Sequence, residues 1–293
     1  MKKPQVFRGV ATALITPFKY GAIDYTALDK LIEMQISGGV SALVIGGTTG
    51  ESATLDEGER RELYKYAYER VEGRVAVILG VGTNDTRASV KYTEMAQEIG
   101  CDAVLAVTPY YNKGTFSGVE SHYLAIADST DLPVILYNVP TRTGVNLTFE
   151  QLEHLAKHKR IVAIKEASDS ADRLVTLAAF GEDLQLIAGN DSQIYTVLSL
   201  GGVGVISVVS NLLPVYTSRI CDAYFEGKAA ESLKMQLDLL PLINALFSET
   251  NPTPIKYAMS SRGLCKNELR LPLAPATEAT RAIVDKILEK QYE

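Results

Sequence analysis

IVAIKEAS, residues 161–168, is an apolar run interrupted by a single amine. A run this short, rich in Val and Ile and bounded by segments of helical period, reads as a parallel strand buried on both faces. Counting by twos puts Ile161, Ala163 and Lys165 on one face and Val162, Ile164 and Glu166 on the other. An ammonium at the end of such a strand loses hydration, and burial favours the neutral amine, which is the nucleophilic form. The plainer reading is a lysine that snorkels to the surface or pairs with Glu166 or Asp169. What decides between them is where this strand falls in a repeat.

Seven further apolar runs share its character: GVATALIT from Gly9, ALVIGG from Ala42, VAVILGVG from Val75, AVLAVTP from Ala103, PVILYNVP from Pro133, LQLIAGN from Leu184 and GVGVISVVS from Gly202. Their starts lie about 20 to 35 residues apart, the length of one βα unit. Helix starts are marked between them by Asp24, by Thr54 and Asp56, by Asn84 and Asp85, and by Thr148, and helix ends by Gly38, Gly73 and Gly100. Eight strands alternating with helices make a parallel sheet closed into a (β/α)8 or TIM barrel, catalytic, over residues 1–226. An open doubly wound sheet would need a glycine fingerprint after the first strand, and TPFKYG is not one. From Leu213 onward only helical signals remain, so residues 227–293 are expected to form a C-terminal helical appendage, for assembly or to cover the barrel.

The chain has 293 residues, 46% of them hydrophobic, and a formal charge of −6, which supplies no basic surface for nucleic acid. Cys101, Cys221 and Cys265 are odd in number and widely spaced, a pattern that suits reduced thiols in the cytoplasm. Pro4 and Arg8 interrupt any signal-peptide core, and no segment approaches the roughly 18 apolar residues that span a bilayer. His154 and His158 stand four apart in an expected amphipathic helix, Thr148 to Arg160, but no HExxH surrounds them, and a solvated face is the plainer reading. Neither a metal nor another cofactor is expected.

Barrel enzymes gather their chemistry at the C-terminal ends of the strands. Here those ends carry GGTTGES with Thr48 and Thr49, TPYYNKG with Tyr110 and Tyr111, YNVPTRTG with Tyr137 and Arg142, then Lys165, GND, and Ile206. Each has an ordinary structural explanation. The glycines at 46, 47 and 50 permit a tight turn, the tyrosines suit an interface, and Arg142 suits a solvated loop. The functional reading gives the loop amides and Thr hydroxyls, and the guanidinium fork, to carboxylates. Tyr137 shares parity with Ile135 and points inward, so its hydroxyl needs a polar partner. One amine with phenols, hydroxyls and a guanidinium on a single rim suits carbonyl chemistry through an imine.

GGTTGES, PYYNK, YNVPTRTG and IKEAS, in this order, with NPTPIK at 251–256 and RLPL at 270–273, resemble the dihydrodipicolinate synthase family over nearly the whole chain. The resemblance implies that Lys165 forms a Schiff base with pyruvate, whose enamine attacks L-aspartate 4-semialdehyde, giving after cyclisation the heterocycle of lysine and diaminopimelate synthesis. It further implies a relay of Tyr137, Thr49 and Tyr111, the last reaching in from a neighbouring subunit. Thr48 and Thr49 would hold the pyruvate carboxylate, Arg142 the semialdehyde carboxylate, and Gly189 and Ile206 would line the pocket. A homotetramer, a dimer of dimers, is the implied assembly.

An effector pocket of the lysine-inhibited members would correspond here to Ala53, Glu57, Arg60, Asn84, Ala88 and Tyr110. Alanine at 88 removes a carboxylate that would face the effector's ammonium. Weak or absent lysine feedback is therefore expected; half-maximal inhibition by submillimolar lysine would count against it. The nearest enzymatic alternatives are N-acetylneuraminate lyase and the 2-keto-3-deoxy sugar acid aldolases, which share the lysine and the strand-five tyrosine but generally lack an arginine at position 142. A catalytically silent barrel that senses a small acid is the alternative of another class.

Overall fold

The computed structural model describes residues 3–290 and 292. Eight parallel strands close into a barrel: β1 (Gly9–Ala13), β2 (Ala42–Ile45), β3 (Ala76–Gly80), β4 (Ala103–Val107), β5 (Val134–Asn138), β6 (Ile161–Glu166), β7 (Gln185–Ala188) and β8 (Gly204–Ser207). Each pairs with its neighbour in sequence, and β1 closes the ring against β8. The helices that follow the strands are α1 (Tyr25–Ser37), α2 (Glu57–Val71), α3 (Thr86–Ile99), α4 (Phe116–Asp128), α5 (Phe149–Leu155), α6 (Ala171–Ala178), α7 (Ile194–Ser199) and α8 (Pro214–Phe225). The fold is thus the (β/α)8 barrel that the strand spacing implies. A two-stranded hairpin, Phe18–Lys19 with Ala22–Ile23, is added after β1, where TPFKYG gives no strand signal.

Two layers of core follow from the period of two along each strand. Ala11, Val44, Ile78, Leu105, Ile135 and Ile206 fill the interior of the barrel. Val10, Val77, Leu136, Leu186 and Val205 face outward against Leu63, Ile126, Leu152 and Ile220 of the helices. Each such fully buried aliphatic side chain contributes about 1.5–3 kcal/mol over the exposed state. The helix starts have local causes. Asp56 accepts from Glu59 N while Glu59 reaches back to the Asp56 amide, and Thr148 and Gln151 form the same reciprocal box. Asp24 and Asp85 each cap one further helix.

Two expectations need correction. Ile161 does not share a face with Ala163 and Lys165: it packs in the outer layer, and Val162 lies in the interior. The cause is a register shift in which Val134 pairs with Ile161 but Ile135 pairs with Ala163, so β6 carries one extra residue. Alternation is regular from Ala163 onward, and Lys165 keeps its inward parity. The helix expected over Thr148 to Arg160 stops at Leu155, so His158 lies beyond it; His154 faces Glu120 at 3.3 Å and His158 faces Asp128 at 3.1 Å.

Beyond α8 come α9 (Ala229–Leu246), α10 (Thr253–Ser261) and α11 (Glu278–Leu288). Leu239, Leu246, Ile255 and Val284 belong to the same continuous core as the barrel's outer layer. Gln236 Nε2 donates to the Asp191 carbonyl (3.1 Å), Arg270 forks onto Glu59, and Lys256 pairs with Glu51. This region therefore covers the barrel and reaches its active rim. Cys101, Cys221 and Cys265 are free thiols, and no helix among the described residues is long and apolar enough to cross a membrane.

Candidate active site

The C-terminal mouth of the barrel opens into a cavity of about 440 Å³ lined by Thr48, Thr49, Tyr137, Arg142, Lys165, Gly189 and Asn251, among others. A larger cleft of about 910 Å³ lies at the opposite mouth, against Lys3, Pro133, Arg160 and Asp183 where strands begin. The smaller one carries the chemistry expected of this fold, because the βα loops gather there. Lys165 and Tyr137 are register partners on adjacent strands, so both side chains enter the barrel at the same height. Lys165 is 6% exposed, and its Nζ lies 4.1 Å from the centroid of the Tyr137 ring. It neither snorkels nor pairs with Glu166.

Glu166 faces outward, where Asn138 Nδ2 donates to both of its carboxylate oxygens (2.9 and 3.1 Å) and Arg173 Nε to one (2.9 Å). Asn138 and Glu166 are themselves register partners. A buried, hydrogen-bonded pair behind the sheet thus fixes the two strand ends that carry Tyr137 and Lys165 in front. Just past the end of the next strand, Gly189 sits where a Cβ would stand 2.6 Å from both the Glu166 carbonyl oxygen and Ala167 Cβ, a distance that excludes a side chain. Asp191 is fully buried and its carboxylate accepts from Ser207 Oγ (2.5 Å), Val208 N (3.0 Å) and Val209 N (3.1 Å). Burial pushes its pKa up; those bonds and the Lys165 charge oppose the rise.

The GGTTGES loop folds back on itself, Gly50 and Glu51 donating to the carbonyls of Gly47 and Thr48. Among the described residues the amides of Thr48 and Thr49 have no acceptor in the chain, which leaves two donors beside two hydroxyls for an anion. Arg142 stands exposed at the rim on the turn Pro140–Thr143, and its Nη2 donates to the Asn251 carbonyl at 3.0 Å. Ile206 lies in the barrel interior at 0% exposure and is not among the lining residues. Tyr111 is 87% exposed with φ +71°, outside this cavity.

Ala53 and Tyr110 line an adjoining cavity of about 270 Å³ that shares Thr48, Arg142 and Asn251 with the first. Four other expected effector positions lie apart from it. Glu57 pairs with Lys91 at 2.6 Å, and Ala88 is half-buried on α3. The Asn84 carbonyl accepts from Asn112. Arg60 is buried, donating to Tyr64 Oη (2.8 Å), Gly80 O (3.2 Å) and Ser52 O (2.7 Å), with its guanidinium over Tyr92.

Sequence reasoning missed the contribution of Asn251, whose Nδ2 donates to Thr49 Oγ1 at 2.9 Å. It also missed Asp191 and the buried Glu51–Lys256 pair. NPTPIK carries the Asn251 signal, but 202 positions separate it from Thr49 and no local pattern joins the two. The set can form an imine with a 2-oxo acid, hold carboxylates at the loop amides and at Arg142, and move protons through Tyr137 and Thr49.

Comparison with known proteins gives the family of the chain. The family model described as the dihydrodipicolinate synthetase family matches residues 6–291. The 4-hydroxy-tetrahydrodipicolinate synthase of Clostridium novyi (strain NT) is 45% identical over 285 residues, covering 97% of this chain and 96% of that protein. The crystal structure of dihydrodipicolinate synthase from Thermotoga maritima superposes with a TM-score of 0.95 at 43% identity, over 97% of this chain and 98% of that one. A monomeric dihydrodipicolinate synthase variant superposes equally well, TM-score 0.95 and 43% identity, over 97% and 96% of the two chains.

Proposed function

The chain belongs to the dihydrodipicolinate synthetase family, and from that premise we propose that it condenses pyruvate with L-aspartate 4-semialdehyde through an imine at Lys165. The observation that carries this reading is the amine at the closed mouth of the barrel, 6% exposed and level with Tyr137. The Lys165 amine adds to the ketone carbon of pyruvate and water leaves, giving the imine. Loss of a methyl proton gives the enamine, whose carbon attacks the aldehyde, and the new oxyanion takes a proton through the Tyr137 and Thr49 hydroxyls. The semialdehyde's own amine then attacks the imine carbon, and release of Lys165 leaves the cyclic 4-hydroxy-tetrahydrodipicolinate. Atoms balance with no oxidant or added cofactor.

The unpartnered amides at Thr48 and Thr49 support a role in holding the pyruvate carboxylate, and Arg142 at the rim suits the carboxylate of the semialdehyde. Gly189 would shape the pocket wall, and Ile206, in the barrel interior, is proposed to contribute through its backbone. Tyr111, exposed and in left-handed backbone, is proposed to complete the relay of a second copy in a homotetramer. The same reading places the enzyme in the cytoplasm, in keeping with three free thiols. Weak lysine feedback is retained from the alanine at 88.

The direct test is turnover of purified protein with pyruvate plus L-aspartate 4-semialdehyde, against pyruvate plus N-acetylmannosamine. Heterocycle formation from the first pair is expected. Turnover of the sugar alone would reverse the assignment.

A further inference from the structure

We propose that Asn251 selects the second substrate by its α-ammonium group, which its amide oxygen accepts while Arg142 holds the neighbouring carboxylate. The inference rests on the function proposed above and names the group that discriminates within that site. Asn251 is 6% exposed and lines both cavities of the rim. Its Nδ2 is committed to Thr49 Oγ1 (2.9 Å) and its carbonyl to Arg142 Nη2 (3.0 Å). Its Oδ1 is buried without a hydrogen-bond partner among the described residues. Leaving a buried acceptor unpaired is costly, so an orphan of this kind on a residue that lines the cavity calls for a donor.

An α-amino acid presents its ammonium on the carbon that bears its carboxylate. A carboxylate gripped by Arg142 therefore brings three N–H donors to the residue to which Arg142 is already tied, and that residue is Asn251. The nearby carboxylates already hold partners. Asp191 accepts three hydrogen bonds, Glu51 is paired with Lys256, and Glu249 accepts from Thr277 N (3.1 Å) and Thr277 Oγ1 (2.5 Å). The same amide directs Thr49: because Thr49 Oγ1 accepts from Asn251, its own proton is aimed elsewhere.

The test compares L-aspartate 4-semialdehyde as substrate with 4-oxobutanoate, the same aldehyde acid without the amine, as a competitor on the pyruvate-loaded enzyme. Asn251→Ala is expected to raise KM for the amino aldehyde about 10- to 100-fold, the range of one charge-assisted hydrogen bond, while Ki for 4-oxobutanoate stays within about twofold. Asn251→Asp keeps the acceptor and loses the donor to Thr49, so discrimination should persist while kcat falls. Borohydride trapping of pyruvate at Lys165 should persist in both variants. Loss of affinity for the two compounds in parallel, or loss of discrimination in Asn251→Asp, overturns the proposal. Absence of trapping in the unmodified protein overturns the function beneath it, and this inference with it.

Discussion

Lys165→Ala is expected to abolish condensation, lowering kcat by on the order of 10⁴-fold or more, and to remove the borohydride-reducible adduct with pyruvate altogether. The size follows from the loss of the covalent intermediate itself, since among the described residues that line the cavity Lys165 is the only amine. Lys165→Arg should be no better, because a guanidinium restores the charge and the contact with the Tyr137 ring but does not condense with a ketone. Both variants should fold: the substitution to alanine removes a buried amine, and burying charge costs stability. The internal control is Lys256, an even more deeply buried lysine at 0% exposure, locked to Glu51 and the Glu268 carbonyl and with no access to the cavity. Peptide mapping after reduction should therefore find the pyruvate on Lys165 and none on Lys256. Trapping that survives in Lys165→Ala would falsify the assignment of the nucleophile.

The features that can be read along the chain are those with a short period. Strand runs separated by one βα unit give the barrel, and parity along PVILYNVP and IVAIKEAS brings Tyr137 and Lys165 to one face. Lys165 is legible because a cation inside an apolar strand conflicts with its surroundings, and such conflicts gather at functional sites. The bulge at Val162 is not legible, because Ile161 and Val162 are both apolar and either satisfies either layer. The helix after Thr148 reads too long because AKHKR keeps a helical composition past the point where the chain turns toward β6. Contacts between distant segments are invisible for a different reason: Asn251 to Thr49, Arg270 to Glu59 and Lys256 to Glu51 each join residues about two hundred positions apart, and no local propensity encodes them. Tyr111 differs again, since its place inside a single chain explains neither its exposure nor its left-handed backbone.

Lys256→Met is expected to destabilise the fold by about 3–5 kcal/mol, the cost of stranding one partner of a buried ion pair. Lys256 and Glu51 are both sealed from solvent, and among the described residues the only other donor to the Glu51 carboxylate is the Arg270 amide, at 3.0 Å. Burial lowers the Lys256 pKa, against the raising effect of Glu51. That balance makes a second result specific. Adding Glu51→Gln to Lys256→Met should recover much of the loss, because a neutral amide keeps an acceptor for Arg270 and removes the stranded charge. Glu51 lies two residues beyond Thr49 in a loop that turns through left-handed backbone at φ +54°. The single variant should therefore lose activity along with stability, and the double variant should regain stability first, since glutamine at 51 restores no cation bridge to α10. Denaturant midpoints of the two single variants and the double complete the cycle. A cost under about 1 kcal/mol for Lys256→Met, or a double variant no more stable than that single, would mean that the pair does not anchor the rim.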